Sequence, residues 1–256
     1  MNLALQWYLS NDLIVNTNKT RLLILDSSNI KNESFKIKIG PDIIQQSPSL
    51  KYLGCTLDRN LKFHKHINLM CNKASKAINI LKYVIKYIKS AKLFYSSYIR
   101  PIVESTPALL FAISKSDSDH IEKLQNRVLK IISGIKFNKK ENCRLSDIRE
   151  KFQLPLLSSR RELFFFIKAF NAINGLDNIL NPLIPPFAVS SCNSILRSYN
   201  PLCPKFLVPK VNKTCYGGNS FGYLVSTNWN NFPTELRNCK DQNQFKRIAK
   251  NFFHHY

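Results

Sequence analysis

Residues 49–88 read SLKYLGCTLDRNLKFHKHINLMCNKASKAINILKYVIKYI, and their hydrophobic period changes halfway along. The first half alternates up to the cluster Asp58-Arg59-Asn60, which predicts a strand and a hairpin-like corner. The second half repeats apolar side chains every three or four residues, as on one helix face: Ile67, Met70, Ala74, Ala77, Ile78, Leu81, Val84, Ile85 and Ile88. We therefore expect a strand, a corner and then a long amphipathic helix.

The predicted helix carries basic side chains and no acidic ones. From Arg59 to Val103 the chain contains ten Lys or Arg and no Asp or Glu, so no ion pair inside the helix balances its charge. At 3.6 residues per turn, these lysines fall outside the apolar stripe: Lys73, Lys76, Lys82, Lys86 and Lys89. This pattern predicts that something anionic lies against the helix.

The charge of the whole chain points the same way. The 256 residues have an ordinary apolar fraction of 44% but a net charge of +22. Residues 61–175 contain 22 basic and 8 acidic residues and so carry +14 of that charge. An excess concentrated in the middle of the chain indicates a binding surface, with phosphate backbones as the first partner class and acidic membranes as the second.

The cysteines and the apolar runs indicate an intracellular protein, nuclear or cytoplasmic and not secreted. The seven cysteines are odd in number and form no C-x-x-C pair, which disfavours a disulfide framework or a zinc knuckle. No signal sequence opens the chain, and no apolar run approaches the length of a membrane span. We expect no membrane insertion.

The remaining sequence predicts further helices. One runs from Ala91 to about Phe111 with a kink at Pro101, and Arg100 and Glu104 are spaced to pair within it. Others are expected at 116–134, 145–152, 156–174, 229–237 and 241–253. Arg160 and Arg161 oppose the helix dipole unless they bind something acidic, which hints at a phosphate contact.

Three shorter predictions concern loops, a strand and histidines. The segment 176–209 holds six of the twelve prolines and is expected to be an extended linker. A short buried strand is expected at 21–25, and Phe35, Ile37 and Ile39 should alternate on a half-exposed strand. His64 and His66 point to opposite sides of a helix without further ligands and are expected to face solvent.

The segment KYLGCTLDRNLKFHKHI resembles the end of the palm in reverse transcriptases of non-LTR (LINE-type, jockey-like) retrotransposons. In that family a YLG-containing hairpin, the primer grip, leads into a helical thumb. Three other stretches match in family order: LQWYLSNDLIVNTNKT resembles the segment after the catalytic turn of the palm, and YSSYIRPIVES and LQNRVLKIISG resemble thumb motifs. The stretch WNNFPTELR near the C-terminus is similar to the tail that follows the thumb.

The resemblance implies an α+β, predominantly helical fold: a small β palm remnant at 1–60, a helical thumb-like bundle at 61–175, and a linker with a less regular tail at 176–256. It places the primer grip at Tyr52, Leu53 and Gly54. It implies that the basic residues after the grip hold an RNA/DNA primer–template duplex by its phosphates: Lys62, Lys65, Lys73, Lys76, Lys82, Lys86 and Lys89, with Arg127 and Lys130 extending the surface.

The chain lacks the residues that polymerisation chemistry needs. Polymerases hold two divalent ions with paired carboxylates, and the sequence has no Asp-Asp dipeptide; Asp117 and Asp119 open a predicted helix, where acidic residues favour the helix dipole. We expect no catalytic residues and no cofactor in this chain, Mg²⁺ being expected only for an intact polymerase, and we interpret the sequence as a truncated gene product or an incomplete gene model. The alternative is a non-catalytic basic helical protein that binds an acidic protein or a membrane surface.

Overall fold

The fold is α+β and predominantly helical, as the sequence predicted. The computed structural model describes residues 2–25, 35–88, 90–106, 111, 113–134, 145–187, 205–211 and 217–254. Within these ranges the helices are α1 Asn2–Ser10, α2 His64–Val84, α3 Ala91–Phe94, α4 Arg100–Val103, α5 Lys115–Ser133, α6 Leu145–Phe152, α7 Leu157–Ile173, α8 Phe221–Trp229, α9 Thr234–Arg237 and α10 Gln242–His254. The strands are β1 Lys36–Ile39, β2 Asp42–Gln45, β3 Ser49–Tyr52 and β4 Cys55–Asp58.

The chain divides into two compact units, Met1–Asn72 and Lys73–Tyr256, and the boundary falls within α2. The division into 1–60, 61–175 and 176–256 stays a prediction.

The first unit contains two antiparallel hairpins, β1–β2 and β3–β4. In β1, Ile37 is half-buried and Ile39 is buried, which confirms the predicted half-exposed strand. The buried strand predicted at 21–25 was wrong: only Leu22 forms a β-bridge, parallel to Gln46, and Leu25 is exposed. Because a strand needs a paired neighbour along its length, one bridge leaves this segment half-exposed.

The second unit is built around an aromatic core. Phe170 of α7 stacks on Phe245 of α10 with ring centroids 4.5 Å apart, and Phe166 meets Phe232 at 4.4 Å. Trp229, the last residue of α8, packs against Phe245 in the same cluster. Helices on both sides of the prolines at 176–209 therefore share one hydrophobic core, whatever path residues 188–204, which lie outside the described ranges, take between them.

Several predicted helix ends are confirmed, and one predicted helix was wrong. The helix α5 begins after Ser114, whose hydroxyl accepts from the Asp117 amide, and ends at Gly134 with φ +64°, a left-handed stop. The helix α6 matches its predicted bounds. The helix expected at 229–237 is instead the end of α8, a turn and the short α9, because Pro233 cannot supply an amide inside a continuous helix.

The helix predicted from Ala91 to about Phe111 forms as far as Val103, with a helical backbone that runs without a break through α3, a π-helical turn and α4. Between α3 and α4 lies a π-helical turn, Tyr95–Ile99, in which the Arg100 amide donates to the Tyr95 carbonyl. Pro101 follows directly. Because proline has no N–H and crowds the carbonyl four residues before it, a wider turn at this place accommodates it. Residues 107–110 and 112 of the predicted helix lie outside the described ranges.

Candidate nucleic-acid interface

The predicted primer-grip residues lie at the tip of the β3–β4 hairpin. Tyr52 ends β3 and pairs with Cys55, so Leu53 and Gly54 form a two-residue turn with φ values of +45° and +87°. Positive φ at both positions is the type of turn whose twist suits two antiparallel strands. The side chains of Tyr52 and Leu53 are exposed, Leu53 at 89%. The tip thus presents an aromatic and an aliphatic side chain to solvent.

Asp58 organises the loop that joins this hairpin to α2. Its carboxylate accepts from the backbone amides of Asn60, Lys62 and Phe63, the last at 2.7 Å. Leu61 and Phe63 have φ values of +50° and +58°, so the loop holds two residues in the left-handed region. Three amide donors on one carboxylate compensate for this strained backbone path.

Two hydrogen bonds connect the hairpin to the first turn of α2. The Lys65 ammonium donates to the Ser49 hydroxyl at 2.8 Å, and the Thr56 amide donates to Nδ1 of His66 at 3.3 Å. His66 is buried, so its predicted solvent-facing position was wrong, whereas His64 is exposed as expected. Burial lowers the pKa of His66 by desolvating the charged imidazolium. Lys62 and Lys65 are both exposed, and Lys65 serves the hairpin joint.

The apolar stripe of α2 is buried as predicted. Ile67, Ala74, Ile78 and Leu81 are fully buried, and Met70, Cys71 and Ala77 nearly so. Lys73, Lys76 and Lys82 are exposed, as is Lys86 in the turn that follows the helix; Lys89 lies outside the described ranges. The sequence therefore located the buried face of the helix and the solvent-facing lysines correctly.

The exposed lysines do not form one row. Lys73 and Lys82 are nine residues apart, which at 3.6 residues per turn is two and a half turns, so they leave α2 in directions about 180° apart. Lys73 and Lys76 differ by only about 60°. A single rod-like ligand lying on one side of α2 cannot contact all of them equally, and two surfaces have to be distinguished.

The first surface lies where α2 meets α5, and we call it the basic surface: Lys82, Lys86, Arg127 and Lys130. The Arg127 guanidinium donates to the Asn79 side-chain oxygen at 2.6 Å and so joins the two helices. Lys82 and Lys130 each lie one turn beyond this hydrogen bond on their own helix, and both are exposed. Arg127 itself is half-buried, so its position is fixed by the α2–α5 contact.

The second surface is the tyrosine face of α2: Lys73, Lys76, Ile80, Tyr83 and Tyr87. These residues follow one another at intervals of three or four, as the buried stripe does, but all five are exposed. The tyrosines and Ile80 were missed as candidate site residues from the sequence. The same spacing rule that gave the buried stripe would have found them, since one helix can carry two such stripes.

Acidic side chains near the core of the second unit are engaged by arginines. Arg160 binds Glu104 with two contacts, at 2.5 and 3.0 Å, while the predicted pairing of Arg100 with Glu104 is longer, at 3.8 Å. Glu122 accepts from the Leu157 amide at 3.1 Å and from Arg149 at 3.1 Å. Burial raises the pKa of Glu122, and Arg149 opposes that rise. These carboxylates therefore do not neutralise the exposed lysines of α2.

The hint that Arg160 and Arg161 contact phosphate was wrong. Arg160 is held by the Glu104 carboxylate, whose hydrogen bond raises the pKa of the guanidinium. Arg161 is buried and donates to the Ser118 hydroxyl at 2.5 Å. The acidic partner expected at the start of α7 is Glu104 of this chain, which binds Arg160, while Arg161 binds a hydroxyl group. Both arginines therefore hold α7 against neighbouring segments.

The comparisons and the search for membrane spans add two findings. Comparisons of the chain with models of protein families, with curated proteins and with solved structures find no match. In the described part of the chain, no helix combines the length and the apolar character needed to cross a membrane.

Proposed function

We propose that this chain is a nucleic-acid-binding C-terminal part of a LINE-type reverse transcriptase, which grips a primer–template duplex and carries no catalytic aspartates of its own. The observation that carries the proposal is the basic surface. The Asn79–Arg127 hydrogen bond joins α2 to α5, both helices carry exposed cations, and α2 itself has no acidic residue. Such a surface suits a phosphate backbone, which presents regularly spaced negative charge.

The hairpin tip supports the same proposal. In the family that the sequence resembles, a YLG hairpin precedes the thumb and holds the primer end. Here Tyr52, Leu53 and Gly54 form the tip of a two-residue hairpin, and an apolar side chain that is 89% exposed gains nothing there from packing within the chain. A contact with a ligand accounts for a leucine at this position.

The exposed apolar surface of the first unit is a third support. Large apolar side chains that would normally be buried are exposed around α1: Leu3, Trp7, Leu9, Leu13 and Ile14, the last at 95%. Strands of a complete palm would cover surface of this kind. A palm remnant separated from those strands accounts for it, whereas a self-sufficient domain of the same size would bury more of these side chains.

The proposal predicts how the basic surface responds to charge removal. Replacing Lys82, Lys86 and Lys130 with Gln should weaken binding of the full chain to a DNA or RNA/DNA duplex similarly for all sequences. Each lost phosphate contact releases one condensed counterion fewer, so the slope of log affinity against log salt should flatten by about two to three units. Fluorescence anisotropy with labelled duplexes at a series of salt concentrations measures both quantities.

A matched control separates a specific surface from general charge. Lys205, Lys210 and Lys250 are also exposed, and replacing them with Gln changes the net charge of the chain by the same amount. This control should leave the slope within about one unit of the wild-type value if its lysines make no phosphate contact. Equal effects of the two triple variants, or tighter binding to anionic vesicles than to duplex, would overturn the proposal in favour of a general acidic partner or a membrane.

A further inference from the structure

The tyrosine face of α2 has features that a duplex grip does not require. Tyr83 is 78% exposed and Tyr87 is 86% exposed, although the same unit buries Tyr95 almost completely. Within the described residues neither ring contacts another aromatic ring or lies beneath a cation. Among the residues of this unit that the structure describes, these two exposed rings therefore make no packing contact with another ring.

The spacing of these residues in the sequence sets their distances along the helix axis. Lys76 and Tyr83 are seven residues apart, close to two turns, so they project from the same side about 10 Å apart. The chain continues past Val84 as a helical turn, in which the Tyr87 amide donates to the Val84 carbonyl at 2.8 Å. Tyr87 therefore follows Tyr83 by about 6 Å along the axis.

The chemistry of the face selects its ligand. A duplex hides the flat faces of its bases and offers phosphates to lysines and tyrosine hydroxyls, so it gives the rings themselves no stacking partner. An unpaired strand offers both: its phosphates meet cations, and its bases stack on aromatic rings in any sequence. Tyr83 and Tyr87 start about 6 Å apart along the helix axis and their rings do not stack on each other within the described residues, so each ring face is open to a base.

A membrane surface suits this face less well. Helices that lie in a lipid interface bury a broad apolar side, usually with Trp, Phe or Leu. Here the exposed apolar side chains along the face are Leu69, Ile80 and the two tyrosines, interrupted by Lys73 and Lys76, while the buried stripe of α2 faces the protein. The two lysines favour an anionic ligand. The small apolar area favours contact with single bases over insertion among the acyl chains of a membrane.

We propose that the tyrosine face binds unpaired nucleotides, with Tyr83 and Tyr87 stacking on bases and Lys73 and Lys76 contacting the phosphates beside them. The inference rests on the proposed function, because it assumes a nucleic-acid ligand, and it goes further by assigning a single-stranded segment to one side of α2. Lys82 of the basic surface leaves α2 about 100° from Tyr83 and about 180° from Lys73, so it remains available to the duplex.

The test compares ligands on the full 256-residue chain. Replacing Tyr83 and Tyr87 with Ala should weaken anisotropy-measured binding of a labelled single-stranded oligonucleotide on the order of tenfold or more, since base stacking is lost. The salt slope should stay unchanged, because no charge is removed. Affinity for a blunt duplex of equal length should also be unchanged.

Two control variants define the cause. Replacing both tyrosines with Phe keeps the rings and should retain single-strand affinity, whereas Tyr8→Ala removes an exposed ring from α1, which has no lysine, and should have no effect. Circular dichroism checks that the double Ala variant is folded, and both side chains are exposed enough for it to fold.

The outcomes separate this inference from the proposed function. If the wild-type chain binds duplex but the double Ala variant binds single strands normally, the inference is overturned and the duplex grip stands. If the wild-type chain binds neither nucleic acid, both fail. If the double Ala variant instead loses binding to vesicles of phosphatidylserine and phosphatidylcholine while single-strand affinity is unchanged, the face is a membrane contact and the inference is overturned.

Discussion

Leu53, at the tip of the β3–β4 hairpin, combines a left-handed backbone conformation with an exposed side chain. It sits at φ +45° in a two-residue turn, where Gly, Asn and Asp are tolerated and other residues are strained. Its side chain is almost fully exposed, so packing does not compensate for that strain. Under the proposed function, this exposed side chain contacts the bound duplex.

We therefore expect Leu53→Asn to stabilise the first unit and to weaken duplex binding at the same time. Asn before Gly is the preferred pair for this turn, and relief of the left-handed strain should raise the free energy of unfolding by about 1 kcal/mol. Urea unfolding and anisotropy measure the two effects. Gly54→Ala, where a Cβ has open space but φ is +87°, should instead lower stability. Unchanged binding in Leu53→Asn would remove the tip from the proposed interface.

For single residues, the sequence predicted which side chains are exposed better than it predicted which groups they contact. The lysines of α2 were correctly placed in solvent because a period of 3.6 residues fixes which side of a helix is buried. The burial of His66 was missed because its neighbour, the Thr56 amide, comes from a different element. The same reason hid the partners of Arg160 and Arg161, whose acidic and hydroxyl groups lie more than forty residues away along the chain.

At the scale of elements, the joint between the hairpin and α2 depends on one neutral imidazole. Nδ1 of His66 accepts from the Thr56 amide, and a protonated imidazole has no acceptor nitrogen. Burial lowers the pKa of His66 below its ordinary value of 6.5. Between 6.5 and that lower native pKa, the unfolded chain binds a proton that the native chain does not.

The stability of this joint should consequently fall as the pH drops below 6.5 and level off below the native pKa. The loss is at most about 1.4 kcal/mol per pH unit for one proton. Protection of the Thr56 amide against hydrogen exchange should decrease over the same pH range, so hydrogen exchange measures this loss. His66→Asn removes the titrating group and should abolish this fall, while His64→Asn, at an exposed position, should leave it. A fall that survives in His66→Asn would assign the pH dependence to another group.

The elements themselves were predicted unevenly, and the pattern has a physical basis. Helices with strong local signals, such as α6 and the capped α5, agree closely with the sequence. The prediction of one helix around Trp229 failed because Trp229, Phe232 and Leu236 all pack into the aromatic core but lie in α8, in the following turn and in α9, and local period does not distinguish this arrangement from one helix.

At the scale of the whole second unit, the aromatic core makes α7 dependent on the C-terminal helices. Phe166 and Phe170 are buried against rings contributed by residues 229–253. The proline-rich segment between them reads as a linker in sequence, because composition shows where regular structure stops but not which helices meet afterwards.

A chain truncated after Gly175 should therefore lose cooperative unfolding and aggregate. It would expose the buried side chains of α7, where truncating even one buried Phe to Ala costs about 3–5 kcal/mol. Thermal circular dichroism and size-exclusion chromatography test this, with a chain ending after His254 as the control. A monomeric, cooperatively melting fragment 1–175 would show instead that the helical region is an independent domain.

The π-helical turn at Tyr95–Ile99 changes the direction in which the side chains after it leave the helix. It places one more residue in a turn than an α-helix would, and each residue of an α-helix is worth about 100° of rotation. Without that extra residue, Glu104 would leave its helix on a different side and turn away from Arg160. The wide turn thus works as an angular offset, which aligns the carboxylate with an arginine 56 residues later in the sequence.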